Sequence, residues 1–147
     1  MNIIVDANII FSGILNTNGK IGDLLINSKA QLRFIAPDFL RREIRHHYPK
    51  LTEISKLPLG KIQEAEFQIY KDITFISEEQ IKLTAWMHAE ELVNDVDPKD
   101  ISYVAFALNF GYKIWSGDKA LINGLAKKGF TEFLDTEALY NLRESLK

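Results

Sequence analysis

Short β-like runs alternate with longer amphipathic stretches along this chain. The five runs with the length and composition of buried strands are residues 3–5, 33–36, 73–76, 112–115 and 132–134. Apolar residues recur at helical spacing near residues 19–29, 37–48, 60–71, 78–93, 99–110, 118–128 and 136–146. Strands that alternate with helix-length segments predict βαβ units. We therefore expect a three-layer α/β/α fold with a central, mostly parallel five-stranded sheet.

Glycine and proline positions refine this prediction. Gly111 and Gly129 each stand where a helix would end before the next strand. The segment 49–72 is the least regular, because Pro49 and Pro58 interrupt it. No linker-like or low-complexity tract divides the 147 residues, of which 46% are hydrophobic. One domain spanning residues 1–147 is expected.

Composition excludes several kinds of chemistry. The chain has no cysteine, which excludes disulfides, a thiol nucleophile, iron–sulfur clusters and cysteine zinc sites. Eighteen Lys and Arg against 20 Asp and Glu give a net charge of −2, so the total shows no large basic face for duplex DNA. No signal peptide and no apolar run of about 18 residues are visible. We expect a soluble, cytoplasmic protein with no membrane partner.

Two acids follow predicted strands. Asp6 comes directly after the first strand, and Asp118 follows the fourth strand after Ser116 and Gly117. In open parallel sheets, ligands bind outside the carboxyl ends of the strands. Each Asp taken alone is equally well explained as the N-cap of the next helix.

Glu43 and the Asp97–Asp100 segment supply further acids on helices. Glu43 lies four residues after Phe39 and three after Leu40, at the edge of the apolar face of its predicted helix. An Arg or His partner would explain it, as would a metal ion. Asp97 fits an N-cap followed by proline, and Asp100 could point along the top of the sheet.

Taken together, these acids favour a metal site. Carboxylates that converge on one point repel each other unless a cation compensates their charge. Hard divalent ions such as Mg²⁺ and Mn²⁺ prefer oxygen ligands. An ion held in this way is typical of phosphoryl chemistry, in which it activates water and neutralises oxyanion charge.

At four places the chain resembles the PIN domain family of metal-dependent ribonucleases. Residues 3–10 resemble its opening strand and first acid, and residues 38–44 its second motif, with Glu43 at the acidic position. Residues 100–108 resemble the third motif, an Asp followed by an Ala-rich helix, and residues 114–119 the fourth, in which a strand ends in Ser/Thr-x-Asp. Each motif is short, and their order and spacing carry the resemblance across nearly the whole chain.

The resemblance implies a set of site residues. The catalytic and metal-binding acids would be Asp6, Glu43, Asp100 and Asp118, around one or two Mg²⁺ or Mn²⁺ ions. Asn8 and Ser116 would orient these ligands, and Ser12 falls where a serine or threonine recurs in the family. Many members carry a further acid shortly after the fourth-motif Asp, where this chain has Ala120. Asp97 could substitute for it in part.

The activity implied is hydrolysis of phosphodiester bonds by an endoribonuclease, with single-stranded or structured RNA as substrate. A small PIN domain most resembles a VapC-like toxin, which implies an antitoxin partner and a homodimer. Basic residues near the motif acids are candidate RNA contacts or simply a solvated helix face: Arg41, Arg42, Arg45 and Lys119. His46 and His47 are not expected as metal ligands, because adjacent helix residues diverge.

Two other functions remain open. A degenerate PIN-like module that binds nucleic acid without cleaving it would explain Ala120. A haloacid-dehalogenase-like phosphatase also places an Asp after its first strand, but that family requires Asp-x-Asp, and here the third residue is Asn8. The phosphatase reading also leaves Glu43 and Asp100 without a role.

Overall fold

The computed structural model describes residues 1–147 and contains one five-stranded sheet. Its strands pair in the order β3-β2-β1-β4-β5, and every pair is parallel. The strands are β1 (Asn2–Val5), β2 (Arg33–Pro37), β3 (Ile73–Ile76), β4 (Lys113–Trp115) and β5 (Phe133–Leu134). Each boundary lies within one residue of the predicted one, so the predicted parallel α/β/α fold is confirmed.

Helices pack on both faces of the sheet and complete the three layers. They are α1 (Ala7–Leu15), α2 (Lys20–Asn27), α3 (Leu40–His46), α4 (Tyr48–Ser55), α5 (Leu59–Tyr70), α6 (Leu83–Val93), α7 (Ile101–Phe110), α8 (Lys119–Ala126) and α9 (Thr136–Ser145). Short 3₁₀ turns at Glu78–Gln80 and Pro98–Asp100 precede α6 and α7. None of the helices has both the length and the apolar character needed to cross a lipid bilayer.

The strand order places a switch point at β1. The chain runs from β1 to β2 on one side of it, and later returns to β4 on the other side. Val5 pairs with Trp115, so β1 and β4 end at the same level of the sheet. The residues that follow these two strands therefore emerge side by side, where parallel sheets form ligand-binding crevices.

The core holds this edge in place. Ile3, Ile4 and Val5 of β1 are fully buried, as expected for a central parallel strand covered on both faces. Trp115 at the end of β4 is also fully buried, and its ring centroid lies 5.6 Å from that of Phe34. Close packing of large side chains leaves the ends of β1 and β4 little freedom to move.

Three helical boundaries differ from the predictions. Helix α1 was not predicted, because Ile9 and Ile10 continue an apolar run that begins in β1. The single helix predicted over 37–48 is wrong: α3 ends at His46, and Pro49 occupies the first turn of a new helix, where a missing N–H costs nothing. The helix predicted over 78–93 is also divided. By contrast, Gly111 ends α7 in the predicted left-handed conformation, with φ of 74°.

Candidate metal centre

Asp6 and Asp118 occupy equivalent positions after the two neighbouring strands. Asp6 caps α1, and its Oδ1 accepts a hydrogen bond of 3.0 Å from the N–H of Ile9. Asp118 caps α8 in the same way, with a 3.0 Å bond from the N–H of Leu121. A carboxylate has two oxygens with about four lone-pair sites, so one cap bond leaves capacity for a ligand. The cap and a metal-binding role are therefore compatible.

Ser116 connects these two acids. Its fully buried hydroxyl oxygen accepts a 3.1 Å hydrogen bond from the N–H of Asp118. The same side chain hydrogen-bonds to Asp6, which lowers the pKa of that carboxyl. Burial has the larger, opposite effect, so the pKa of Asp6 is raised overall. Ser116 thus links the Asp6 carboxylate to the backbone of the turn that carries Asp118.

The tightest group of acids comes from two elements. Carboxylate oxygens of Asp97, Asp100 and Asp118 all lie within 4.8 Å of one another. Asp97 caps the 3₁₀ turn through a 3.2 Å bond from the N–H of Lys99, as predicted. Burial, followed by repulsion from Asp97, raises the pKa of Asp100 to about 7. Asp97, which the sequence favoured as a cap, therefore belongs to the acidic cluster as well.

Glu43 approaches the same region from α3. It is half-buried, and its carboxylate has no hydrogen bond or salt bridge to the rest of the chain. Burial raises its pKa, and the negative charge of Asp6 raises it further. The arginine partner that would have explained a buried glutamate is absent.

One cavity of about 700 Å³ brings these groups together. Five carboxylates line it: Asp6, Glu43, Asp97, Asp100 and Asp118. None of the eight salt bridges in the structure involves any of them. Uncompensated oxygen donors at this density suit a hard divalent cation such as Mg²⁺ or Mn²⁺.

Tyr103 is a site residue that sequence reasoning missed. It is buried on α7, and its hydroxyl oxygen accepts a 3.2 Å hydrogen bond from the N–H of Ala7. Burial and the charges of Glu43 and Asp6 raise the pKa of Tyr103, so its phenol stays protonated beside them. Its position three residues after Asp100 places both on one face of α7, which is the signal that could have found it.

The basic residues divide into two groups. Arg42, His46, His47 and Lys99 line the cavity, although only Arg42 among them was a predicted substrate contact. Both histidines line the cavity, His46 from the last residue of α3 and His47 from the residue between α3 and α4. Lys99 could have been noticed from its place between Asp97 and Asp100.

Other predicted contacts lie elsewhere. The guanidinium of Arg41 lies 4.0 Å from the centroid of the Phe75 ring and 3.2 Å from Asp38, outside the cavity. Arg45 and Lys119 are exposed and do not line it. Ser12 is exposed on α1, also outside, whereas Asn8 lines the cavity. The spacing of these residues in the sequence indicates on which face of a helix they lie. It does not indicate whether that face lines the cavity.

A parallel α/β/α sheet with a carboxylate cluster at its switch point defines an α/β protein with a candidate divalent-metal site. The model of the PIN domain matches residues 4–140, and the chain belongs to the PIN domain family. PIN domains are generally metal-dependent nucleases. The group formed by Asp97, Asp100 and Asp118 could bind one divalent metal ion.

A solved structure supports the fold independently. The crystal structure of PAE2754 from Pyrobaculum aerophilum superposes with a TM-score of 0.70, covering 99% of this chain and 96% of that chain. The two sequences are 12% identical, so the likeness concerns the fold alone. No curated protein matches the chain significantly.

Proposed function

We propose that this chain is a metal-dependent endoribonuclease that hydrolyses phosphodiester bonds of single-stranded RNA. The observation that carries the proposal is the cavity in which five carboxylates meet without a salt-bridge partner. A protein keeps such a costly arrangement where a cation is to be bound. In a PIN domain, that cation serves phosphodiester hydrolysis.

The position of each residue in the cavity suggests its role. Asp97, Asp100 and Asp118 would hold a divalent ion, because their oxygens already lie within 4.8 Å of one another. A bound Mg²⁺ or Mn²⁺ activates water and neutralises charge on the phosphate. Asp6, fixed by Ser116, and Glu43 extend the acidic wall on which the attacking water would be held. Tyr103 keeps the turn at Ala7 against this wall.

The basic side of the cavity suits the nucleic-acid backbone. Arg42 and Lys99 would contact phosphate oxygens next to the one attacked, and His46 extends this side. The charge is local, since the net charge of the whole chain is −2. A small basic rim favours a single strand that enters the cavity over a duplex held along a broad face.

The proposal extends to a biological role. The family resemblance supports a VapC-like toxin in the cytoplasm, working as a homodimer and blocked by an antitoxin that covers the cavity. A basic or aromatic antitoxin segment would meet the acidic wall. Growth arrest on expression, relieved by the Asp118→Asn substitution, would support this role, and normal growth with active enzyme would contradict it.

The experiment is a cleavage assay on labelled single-stranded RNAs and DNAs of the same sequences, in EDTA, Mg²⁺ or Mn²⁺. We expect metal-dependent cleavage of RNA by the wild type and a loss of about 100-fold or more in Asp118→Asn. Asp135→Asn is the matched control, because Asp135 also caps a helix directly after a strand but lies outside the cavity. Asparagine is a good N-cap, so both variants should fold.

Each other outcome points to a different protein. If no RNA is cleaved in any metal, the enzymatic proposal is wrong. Binding of RNA without cleavage would indicate the degenerate module, which Ala120 favours. Hydrolysis of a small phosphate ester without RNA cleavage would indicate a phosphatase. Equal losses in the Asp118 and Asp135 variants would show that helix capping, and not the cavity, explains the effect.

A further inference from the structure

A second, smaller pocket lies next to the acidic cavity. It has a volume of about 120 Å³ and shares Asn8, Glu43 and His47 with the cavity, then extends outward to Phe11 and Lys50. The two spaces are adjacent, because these side chains line both of them. A substrate held at the carboxylates would therefore have its neighbouring group at the mouth of this pocket.

Helical spacing brings both polar and aromatic side chains to the pocket. Phe11 follows Asn8 by three residues on α1, and His47 follows Glu43 by four residues at the end of α3. These separations correspond to one helical turn, about 5.4 Å along each axis. Asn8, Glu43 and His47 therefore lie between the pocket and the acidic cavity, whereas the Phe11 ring lines the pocket alone.

The aromatic side chains give the pocket the character of a site for a flat ring. The ring centroids of Phe11 and His47 lie 6.1 Å apart, with their planes at 90°. The fully buried Ile44 closes the pocket from α3. Lys50 places its ammonium 5.9 Å from the centroid of Phe11, at the limit of a cation–π contact.

The volume of the pocket and the charge of Glu43 restrict the kinds of group that the pocket could bind. At about 30 Å³ per water molecule, the pocket volume corresponds to about four waters, the scale of one small heterocycle. Glu43 on the shared wall disfavours an anionic group there, whereas the edge of a base can hydrogen-bond to Glu43 and to the Asn8 amide. Unpaired bases stack on aromatic side chains, whereas a base within a duplex is already stacked.

We propose that this pocket binds one unpaired nucleobase of the substrate, adjacent to the phosphodiester that is cleaved. Phe11 and His47 contact the base, Asn8 contacts its polar edge, and Lys50 lies near the backbone. This inference rests on the proposed function, since it names the part of the RNA that the site holds. It also gives a physical reason for a preference for single strands.

The test combines an abasic scan with a conservative variant. Short single-stranded RNAs carrying one abasic nucleotide at successive positions are titrated by fluorescence anisotropy, with Ca²⁺ in place of Mg²⁺. We expect one position at which base loss weakens wild-type binding about 10-fold. Phe11→Leu, which keeps apolar packing, should weaken binding of intact RNA similarly and make that abasic position neutral.

Matched controls separate stacking from general effects. Phe67→Leu removes an aromatic ring that is 65% exposed on α5, away from the pocket, and should bind like the wild type. His47→Gln should weaken binding, whereas His88→Gln on α6 should not. Circular dichroism melting of each variant confirms that it is folded before binding is measured.

The outcomes also distinguish the two proposals. Cleavage by the wild type with no sensitive abasic position, or equal affinities of the Phe11 and Phe67 variants, would overturn the base pocket and leave the nuclease standing. A sensitive position that Phe11→Leu abolishes, in a protein that cleaves no RNA, would support the pocket and overturn the nuclease. If RNA does not bind at all, both proposals are wrong.

Discussion

Replacing Asp100 with asparagine should make the metal-free protein more stable. Burial, followed by the negative charges of Asp97, Asp6 and Asp118, raises the pKa of Asp100 to about 7. Above about pH 7, the folded protein therefore carries an ionised Asp100 that is partly buried and close to other negative charges. Asparagine has nearly the same shape and no charge, so Asp100→Asn removes the repulsion without leaving a void.

The pKa gives the size of the effect. A rise from 3.8 to about 7 is about three units, or about 4 kcal/mol at roughly 1.4 kcal/mol per unit. Water and counterions reach this partly buried carboxylate and screen the repulsion, so we expect about 2 kcal/mol at pH 8. For a domain of this length, that corresponds to a rise in Tm of about 4–8 °C.

The effect must depend on pH in one direction. Because the folded pKa is raised, Asp100 makes its full stabilising contribution to the wild type below about pH 4, where its carboxyl is protonated in both the folded and the unfolded protein. That contribution is lost as the pH rises to about 7, because the unfolded state gives up its proton first. Thermal melts in EDTA should show the advantage of Asp100→Asn growing from pH 5 to pH 8.

Metal ions provide the complementary measurement. Mg²⁺ or Mn²⁺ should raise the Tm of the wild type by mass action and raise that of Asp100→Asn much less, because one ligand is lost. Asp135→Asn, outside the cavity, should follow the wild type in every condition. If Asp100→Asn is less stable than the wild type at pH 8 in EDTA, or differs from it equally at pH 5 and pH 8, the electrostatic reasoning is wrong.

Two further predictions concern the frame around the site. Gly22→Ala should lower stability by about 1–3 kcal/mol, because its Cβ would lie 2.4 Å from the backbone oxygen of Thr17. Gly60→Ala should raise stability by about 0.5–1 kcal/mol, because nothing lies within 4 Å of the added Cβ. Urea unfolding measures both changes, and a change of the same sign in the two variants would contradict the reasoning. Arg143→Ala should cost about 2–4 kcal/mol, since Arg143 is buried and ion-paired between α9 and α2. Lys20→Ala breaks an exposed pair between the same helices, so an equal loss of Tm would refute the role of burial.

Local sequence patterns were sufficient for the five strands and for several candidate ligands. Apolar runs gave the five strands, since a strand buried on both faces must be apolar throughout. Asp6 and Asp118 could be selected because residues that follow parallel strands emerge at one edge. Glu43 could be selected from its place at the border of an apolar helix face. These inferences use only the direction of a residue relative to its own element.

Local sequence patterns did not predict every helix boundary correctly. The apolar residues Ile9 and Ile10 do not show by themselves that a helix begins at Ala7, although Asp6 was recognised as a possible N-cap. The predicted helix is divided at His47, and Pro49 lies in the first turn of the new helix α4. His46 and His47 line the cavity, which was not predicted from the sequence.

The sequence by itself therefore determined the fold class and the presence of acids at one edge of the sheet. Only the tertiary structure decided that Asp97 joins Asp100 and Asp118, that Tyr103 lies beside Glu43, and that Arg41 turns away to Phe75. The physical reason is that periodicity records which side of an element is buried. Distances between side chains on different elements depend on how those elements pack together.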